Sequence, residues 1–236
     1  MTQTRRRVVV TGAGGRIGRA ITPRLPGSWD VQGTDLTASE GISILDITYP
    51  DACRAAFANA DAVVHLAAVP NPEASWARLL PANVVGVYQV AQAAVSCGVR
   101  RLVLASSLHV VSAMSDQTQV RVGDPPRPAN LYGATKAWAE ALGAWVAGTT
   151  PTSVVALRIG YFAPERPDPA SVPARELSAW LSPRDAAELV RAAVEAVGFD
   201  FVVANGISAN RYRRADLTET MQQLGYRPVD DAWSSP

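Results

Sequence analysis

Cysteine, histidine and methionine are scarce in this sequence. Its 236 residues include 2 cysteines, 2 histidines and 3 methionines. Cys53 and Cys97 stand in unrelated segments without CxxC spacing or a histidine partner, which argues against a disulfide framework and a metal site. Two isolated thiols fit a reducing compartment. We therefore expect a cytoplasmic protein that binds no metal.

The sequence also lacks an excess of charge of either sign and any long apolar run. Its 22 lysines and arginines face 21 aspartates and glutamates, a net charge of +1. A near-neutral chain has no field that attracts nucleic acid or an anionic membrane, so we expect neither as a partner. The apolar run after Arg5–Arg7 breaks into glycines within a few residues, which argues against a secretory signal.

What is present is an alternation of β-branched runs with alanine-rich segments of helical period. Such alternation, with strands apolar on both faces, is typical of a parallel sheet covered by helices on each side. We predict a doubly wound α/β fold of the Rossmann type with about seven strands. The predicted strands are RVVVTG, DVQGTD, SILDIT, DAVVHLAA, RRLVLASS, SVVALRIG and FDFVVANG, and the predicted helices lie near 16–25, 50–59, 76–97, 131–147 and 183–197.

Three long loops interrupt this alternation at 69–75, 108–129 and 161–180, each after the carboxyl end of a predicted strand. Ligands of open α/β sheets bind at that edge. We expect the three loops to form the walls of a substrate site. The chain is predicted to be one domain over 1–236, with a small C-terminal substrate-binding portion made of insertions at about 161–182 and 205–236.

A glycine-rich turn follows the first strand. The sequence TGAGGRIG places Gly12, Gly15 and Gly18 at three-residue spacing, with a helix opening at about Arg16. Glycines there let backbone N–H groups approach a pyrophosphate. Asp35, at the end of the second strand, would accept hydrogen bonds from an adenosine ribose and repel a 2′-phosphate. The pattern predicts a dinucleotide site that prefers NAD to NADP.

Two further strand ends fall near this site. Asp46 either caps the adenine amino group or only makes a turn, and the sequence does not decide between these. Small residues after the fourth strand, in HLAA at 65–68, would let the backbone pass beside the cofactor. His65 itself is interpreted as a core histidine.

A serine, a tyrosine and a lysine form the predicted catalytic set. Ser107 ends the fifth strand, and Tyr132 and Lys136 in NLYGATKAWAE are one helical turn apart on one face. Tyrosine becomes a base near neutral pH only when a neighbouring ammonium and a positive nicotinamide stabilise its phenolate. Ser107 would hold the reacting oxygen against Tyr132.

These motifs together, with NVVG at 83–86 and LRIG at 157–160, resemble an extended short-chain dehydrogenase/reductase of the epimerase/dehydratase branch. The resemblance implies a strand order of 3-2-1-4-5-6-7 and a homodimer formed by helices 76–97 and 131–147. Trp138, Trp145 and Val146 would supply the apolar patch. The resemblance also implies that Lys136 binds the nicotinamide ribose hydroxyls and that Asn83 supports the active-site architecture. The predicted cofactor contacts further include Arg16, Ile17, Ile47, Leu66, Ala67, Ala68, Asn83, Tyr132, Lys136 and Ile159.

Within that branch the sequence is most similar to uronate dehydrogenases, which oxidise C1 of a free hexuronic acid to a lactone. SSLH at 106–109, ARELSAWLSPRDAAELV at 174–190 and ANGISAN at 204–210 carry this similarity. It implies that Arg175 clamps the substrate carboxylate and that His109 contacts the substrate. From the residues alone, Arg175 could equally pair with Glu176 or Asp168, and His109 could face water.

Three positions depart from the subfamily. Leu108, Pro70 and Tyr161 stand where small polar residues are expected, so the pocket is more apolar than a uronate site. The sequence predicts an NAD-dependent dehydrogenase for a small sugar such as a hexuronate. The alternatives are an NAD(P)H-dependent ketoreductase or epimerase/dehydratase acting on a secondary metabolite or another sugar, and a non-catalytic NAD(H)-sensing regulator.

Overall fold

A parallel sheet of seven strands forms the centre of the computed structural model, which describes residues 5–234. All neighbouring strands pair in parallel, in the order β3-β2-β1-β4-β5-β6-β9. The predicted order is confirmed, since β9 is the seventh strand of this sheet. The strands are β1 (Arg6–Thr11), β2 (Trp29–Asp35), β3 (Ile42–Ile44), β4 (Ala62–His65), β5 (Arg101–Ser107), β6 (Ser153–Ile159) and β9 (Phe201–Gly206).

Helices cover both faces of the sheet. They are α1 (Arg16–Ile21), α2 (Pro50–Phe57), α3 (Trp76–Leu79), α4 (Val87–Ser96), α5 (Leu131–Thr149), α6 (Ala174–Ser178), α7 (Pro183–Glu195) and α8 (Thr218–Leu224). Short 3₁₀ helices lie at Thr22–Arg24 and Leu108–Val111, and β7 (Tyr161–Phe162) pairs with β8 (Trp180–Leu181) in a separate two-stranded sheet. Within residues 5–234, no helix has the length and apolarity that crossing a membrane requires.

The two faces of the sheet pack into two separate apolar cores. Along β1, Val8 and Val10 belong to one core and Val9 belongs to the other, and none of the three is exposed to solvent. Successive side chains of a strand point to opposite faces, so only a strand covered on both sides is apolar at every position. The predicted doubly wound fold is confirmed.

The sequence prediction was wrong about several boundaries. The predicted helix at 76–97 is interrupted by a π-helical segment, Leu80–Gly86, which contains Pro81. Proline has no N–H to donate to the helix, and a wider turn accommodates it. The third strand has only three residues because the chain turns at Asp46. The sequence did not predict α6, α8 or the pair β7–β8.

Helix α5 begins at a side-chain cap and packs closely on the 3₁₀ helix before it. The Asn130 side chain accepts a hydrogen bond from Gly133 N at 2.8 Å. A Cβ atom at Gly133 would lie 2.3 Å from the carbonyl oxygen of His109. Only glycine permits this approach, which brings the end of β5 beside the first turn of α5.

The outer side of α5 carries exposed tryptophans. The exposed fractions of Trp138 and Trp145 are 41% and 50%. Val146, which we expected in the same apolar patch, is instead fully buried in the core. It lies one residue, about 100° of helical rotation, from Trp145.

We expect Gly133→Ala to lower the free energy of unfolding by about 1–3 kcal/mol, because the new methyl group overlaps a backbone oxygen. Gly148→Ala is the matched control in the same helix, because a Cβ there would meet nothing within 4 Å. It should raise stability by up to about 1 kcal/mol through helix propensity. Urea unfolding of both variants tests this, and equal effects of the two would contradict the packing described here.

Candidate active site

The glycine turn after β1 leaves no room for side chains. Gly12 has a φ of +74°, and a Cβ there would lie 2.5 Å from the backbone nitrogen of Ala67. A Cβ at Gly18 would lie 2.3 Å from the carbonyl oxygen of Gly12. The turn therefore packs directly against the chain leaving β4 and against the start of α1. Backbone groups, without intervening side chains, border the adjoining groove.

That groove is a cavity of about 420 Å³. Its walls hold eleven of the predicted cofactor residues: Gly12, Gly15, Arg16, Ile17, Gly18, Asp35, Asp46, Ile47, Leu66, Ala67 and Ala68. A second cavity of about 530 Å³ holds the other predicted contacts Tyr132, Lys136 and Ile159. Arg16, Ile17, Leu66, Ala68 and Pro70 line both, so the two cavities adjoin. The length and the backbone-lined end of this double cavity fit a dinucleotide.

Two carboxylates stand in the groove, and both also organise the backbone. Asp35 accepts hydrogen bonds from Gly14 N at 2.9 Å and Leu36 N at 2.7 Å, which joins the end of β2 to the glycine turn. Asp46 accepts from the backbone nitrogen and the hydroxyl of Thr48. The structure thus shows Asp46 in the turn role that the sequence allowed, on the wall of the groove.

Asn83 lines neither cavity. Its side-chain amide accepts from Val69 N at 2.8 Å and donates to Val69 O at 3.2 Å and to the Thr135 hydroxyl at 3.2 Å. Asn83 therefore connects the loop after β4 to α5 and contributes no surface to either cavity. The π-helical turn that contains it aims this amide at Val69.

Ser107, Tyr132 and Lys136 meet at the floor of the second cavity, and each is at most 9% exposed. The Ser107 side chain lies beside the Tyr132 hydroxyl, and its oxygen accepts a hydrogen bond from His109 N at 3.2 Å. Lys136 Nζ lies 5.6 Å from the centroid of the Tyr132 ring and donates to the carbonyl oxygen of Ala105 at 2.7 Å. The end of β5 and one face of α5 thus bring the predicted catalytic set together.

Burial disfavours the charged forms of both Tyr132 and Lys136. Burial raises the pKa of Tyr132, while the Ser107 hydrogen bond and the Arg16 charge act in the lowering direction. Burial lowers the pKa of Lys136 to about 8. Burial in the chain alone therefore disfavours the phenolate of Tyr132. The mechanism predicted from the sequence assigns its further stabilisation to a positive nicotinamide.

His65 is a core histidine, as the sequence indicated. It is 4% exposed, and its Nδ1 lies 2.7 Å from the Thr11 hydroxyl. Burial, together with the Lys136 charge, lowers its pKa to about 3. His65 is therefore neutral under physiological conditions.

A buried ion pair that the sequence analysis missed lies next to the catalytic set. Arg158 donates from Nε and Nη2 to the two carboxylate oxygens of Glu140, both at 2.9 Å, and the Ser106 hydroxyl donates to Glu140 at 2.6 Å. The side chains of Arg158 and Glu140 are 3% and 8% exposed. The sequence does hold a signal for this ion pair, because Glu140 follows Lys136 by four residues and so lies on the face of α5 that meets the sheet.

The predicted substrate contacts Ser107, Leu108, His109, Tyr161 and Arg175 all line the second cavity, as does Pro70. All three long loops contribute to its wall. His109 is partly buried: its Nδ1 lies 3.0 Å from Asn130 Nδ2, and its ring stacks edge-on with Tyr132 at 5.4 Å. Burial, and secondarily the Arg175 charge, lower its pKa.

Arg175 has a partner that the sequence did not suggest. Its Nη1 lies 3.0 Å from a carboxylate oxygen of Asp116, and its Nη2 donates to Ser112 O at 2.8 Å. The expected alternatives, Glu176 and Asp168, were wrong. They are near in sequence, whereas Asp116 comes from the loop that faces α6 across the cavity rim.

Lys136 is the sole lysine of the chain, which makes its ionisation directly observable. Protein labelled with ¹³C-lysine should give one side-chain signal that titrates with a midpoint near pH 8. A midpoint near 10.5, the ordinary value, would contradict the burial described here.

The same shift predicts a pH-dependent stability difference. The pKa of Lys136 is lower in the folded protein than in the unfolded chain, so between these two values the unfolded chain binds more protons. Burying the charged lysine therefore costs its full free energy below about pH 8, and this cost decreases as the pH rises. We expect Lys136→Met to raise the free energy of unfolding by about 1–2 kcal/mol at pH 7, with a smaller gain at pH 10. Urea unfolding at both pH values tests this, and a gain that does not shrink with pH would contradict it.

Comparison with known proteins gives consistent matches. The profile described as NAD dependent epimerase/dehydratase family matches residues 8–183. The L-arabinose 1-dehydrogenase (NAD(P)(+)) of Haloferax volcanii is 40% identical, over 96% of this chain and 97% of the relative. The NAD-dependent glucose-6-phosphate dehydrogenase of the same organism is 34% identical, over 95% and 94%. A mutant uronate dehydrogenase from Agrobacterium tumefaciens, solved in complex with NAD, superimposes with a TM-score of 0.86 at 29% identity, covering 96% of this chain and 86% of that one.

Proposed function

Since the chain belongs to the NAD dependent epimerase/dehydratase family, and sugar dehydrogenases are among its matched relatives, we propose that it oxidises the C1 hydroxyl of a small free sugar, to give a lactone. The observation that carries this proposal is the meeting of Ser107, Tyr132 and Lys136 beside the groove of the glycine turn. The groove, the turn and Asp35 would hold NAD. When bound, NAD would supply the hydride acceptor.

The side chains then have separate tasks in this mechanism. The phenolate of Tyr132 takes the proton of the C1 hydroxyl as the hydride leaves C1. Ser107 donates a hydrogen bond to the same sugar oxygen and holds it against Tyr132. The Lys136 ammonium, in its buried setting, stabilises the phenolate by charge. His65 stays neutral and adds no competing proton.

The cavity favours a monosaccharide over a nucleotide sugar. Its volume of about 530 Å³ must accommodate the nicotinamide end of the cofactor as well as the substrate. We propose the segments 161–182 and 205–236 as the substrate-binding portion. Tyr161 and Arg175 of the first and Arg214 of the second line the cavity.

An uncharged aldose is the first candidate substrate. The arabinose dehydrogenase is 40% identical over nearly the whole chain, and the guanidinium of Arg175 is already paired with Asp116. A hexuronate is the second candidate, because Arg175 and His109 line the cavity and uronate dehydrogenases are among the relatives. A guanidinium on the cavity wall is chemically suited to a substrate carboxylate.

NAD is the proposed cofactor in preference to NADP. The Asp35 carboxylate stands in the groove at the end of β2, fixed by two backbone hydrogen bonds. A 2′-phosphate at that position would meet like charge. The free thiols of Cys53 and Cys97 support our placement of the protein in the reducing cytoplasm.

The proposal predicts formation of NADH at 340 nm when the protein is given NAD and L-arabinose, with lower kcat/KM for NADP. We expect Tyr132→Phe to lower kcat by at least about 100-fold, because it removes the proton acceptor. Tyr212→Phe is the control, since Tyr212 is 63% exposed and outside both cavity walls. D-glucuronate, D-galacturonate and simple secondary alcohols are assayed as alternative substrates beside L-arabinose. Turnover of the alcohols alone, or sugar turnover that survives Tyr132→Phe, would overturn the proposal.

We also propose that two copies associate through α4 and α5. Leu131, Trp138 and Trp145 recur every seven residues, which places them on one side of α5, and they are 49%, 41% and 50% exposed. Val85 and Tyr88, on the neighbouring helical segment, are 39% and 41% exposed. Large apolar side chains clustered on adjoining helices favour a self-association surface.

This surface predicts a dimer in solution, measured by light scattering after gel filtration. The double variant Trp138→Glu/Trp145→Glu should elute as a monomer, because each copy would bring two charges to the apolar contact. Val197→Glu is the control, since Val197 is 85% exposed and lies beyond α7, away from this surface. A double variant that keeps the mass of two chains would contradict the assignment.

A further inference from the structure

We propose that Asp116 is a specificity-determining residue, which occupies the guanidinium of Arg175 and so directs the enzyme toward uncharged sugars and away from sugar acids. This inference rests on the proposed sugar dehydrogenase function. It concerns the carboxylate that pairs with Arg175, a residue of the cavity wall, from the loop at 108–129.

The contact between Asp116 and Arg175 engages the part of the guanidinium that a substrate acid would use. A carboxylate oxygen of Asp116 lies 3.0 Å from Nη1, and the carbonyl oxygen of Ser112 accepts a hydrogen bond from Nη2 at 2.8 Å. Both terminal nitrogens of Arg175 thus have acceptors within the chain. A substrate carboxylate, which binds a guanidinium best in bidentate fashion, would have to displace them.

The loop that presents Asp116 is itself held in place. Arg214, which is 7% exposed, donates to the carbonyl oxygens of Met114 at 3.2 Å and Ser115 at 3.0 Å, and also to that of Thr118. These carbonyls lie on both sides of Asp116 in sequence. One buried side chain therefore fixes the backbone around the carboxylate, and Asp116 is not a freely moving surface residue.

The other charged groups around the rim do not replace this arrangement. Burial, and secondarily the Arg175 charge, lower the pKa of His109, which disfavours its cationic form. Arg214 is committed to backbone carbonyls, and Lys136 lies at the floor beside Tyr132. Glu176 places a carboxylate on the cavity wall itself. Arg16 also lines this cavity, where it adjoins the groove of the glycine turn, and its charge acts on Tyr132. With Asp116 in place, the guanidinium of Arg175 is already paired when a substrate acid enters.

Because both side chains of the Arg175–Asp116 pair are partly exposed, we expect their contact to affect substrate selectivity and to have little effect on folding stability. The side chains of Arg175 and Asp116 are 44% and 56% exposed. Ion pairs at such positions contribute little to stability. A carboxylate brought next to Asp116 is disfavoured by like charge, and removing Asp116 frees a guanidinium that lines the cavity.

The test is the ratio of kcat/KM for D-glucuronate to kcat/KM for L-arabinose. We expect Asp116→Ala to raise this ratio by about tenfold or more over the wild type. Glu176→Ala is the matched control, because it removes the same charge from the rim without freeing Arg175. Its ratio should change by less than about threefold.

The double variant Asp116→Ala/Arg175→Met should lose the gain, because the gain depends on the freed guanidinium. A wild-type ratio already above one, an unchanged ratio in Asp116→Ala, or an equal gain in Glu176→Ala would overturn the proposal while leaving sugar oxidation intact.

Calorimetric titration of D-glucuronate into the NADH-saturated proteins gives a readout that does not need turnover. Tighter binding to Asp116→Ala than to wild type and Glu176→Ala supports the role of Asp116, and equal binding overturns it. If the wild type oxidises no sugar, the proposed function fails and the titration still decides the role of Asp116.

Discussion

The ion pair between Arg158 and Glu140 holds together the three elements on which the site is built. Arg158 belongs to β6, Glu140 to α5, and the Ser106 hydroxyl of β5 joins them at 2.6 Å from the carboxylate. Two charges this deeply buried are tolerated only when their hydrogen bonds are nearly complete, so the geometry allows little slippage. Ser107 is the next residue along β5, and Lys136 is one turn earlier on α5. Arg158 also donates to Val122 O, which extends the constraint to the wall of the cavity.

The catalytic floor is electrostatically incomplete by itself. A tyrosine with a raised pKa and a lysine with a lowered one share an apolar setting that favours neither charged form. Ionisable groups whose pKa values are shifted by burial in this way are common at catalytic sites. Positive charge in the adjoining groove would favour the phenolate, so in the proposed mechanism a bound cofactor would also promote proton transfer.

Periodicity and strand-end motifs were sufficient to predict the sheet and the meeting of Ser107, Tyr132 and Lys136, because both depend on local patterns. Val8–Val10 read as a strand buried on two faces, and Tyr132 and Lys136 share a helix face by spacing alone. The π-helical segment escaped prediction, since a proline in a helical pattern does not specify how the backbone relaxes. Asp116 and Arg158 escaped for another reason: their roles depend on partners 59 and 18 residues away, which only the folded chain brings near.

The contacts of Arg214 have a consequence for the order in which the molecule is assembled. They span 96 to 100 residues, from the loop after the 3₁₀ helix Leu108–Val111 to the chain beyond β9. During synthesis, the glycine turn and the strands around it emerge well before Arg214 does. The contacts that hold the loop around Asp116 can form only after Arg214 has emerged. This part of the cavity rim therefore reaches its final form only when the last quarter of the polypeptide docks.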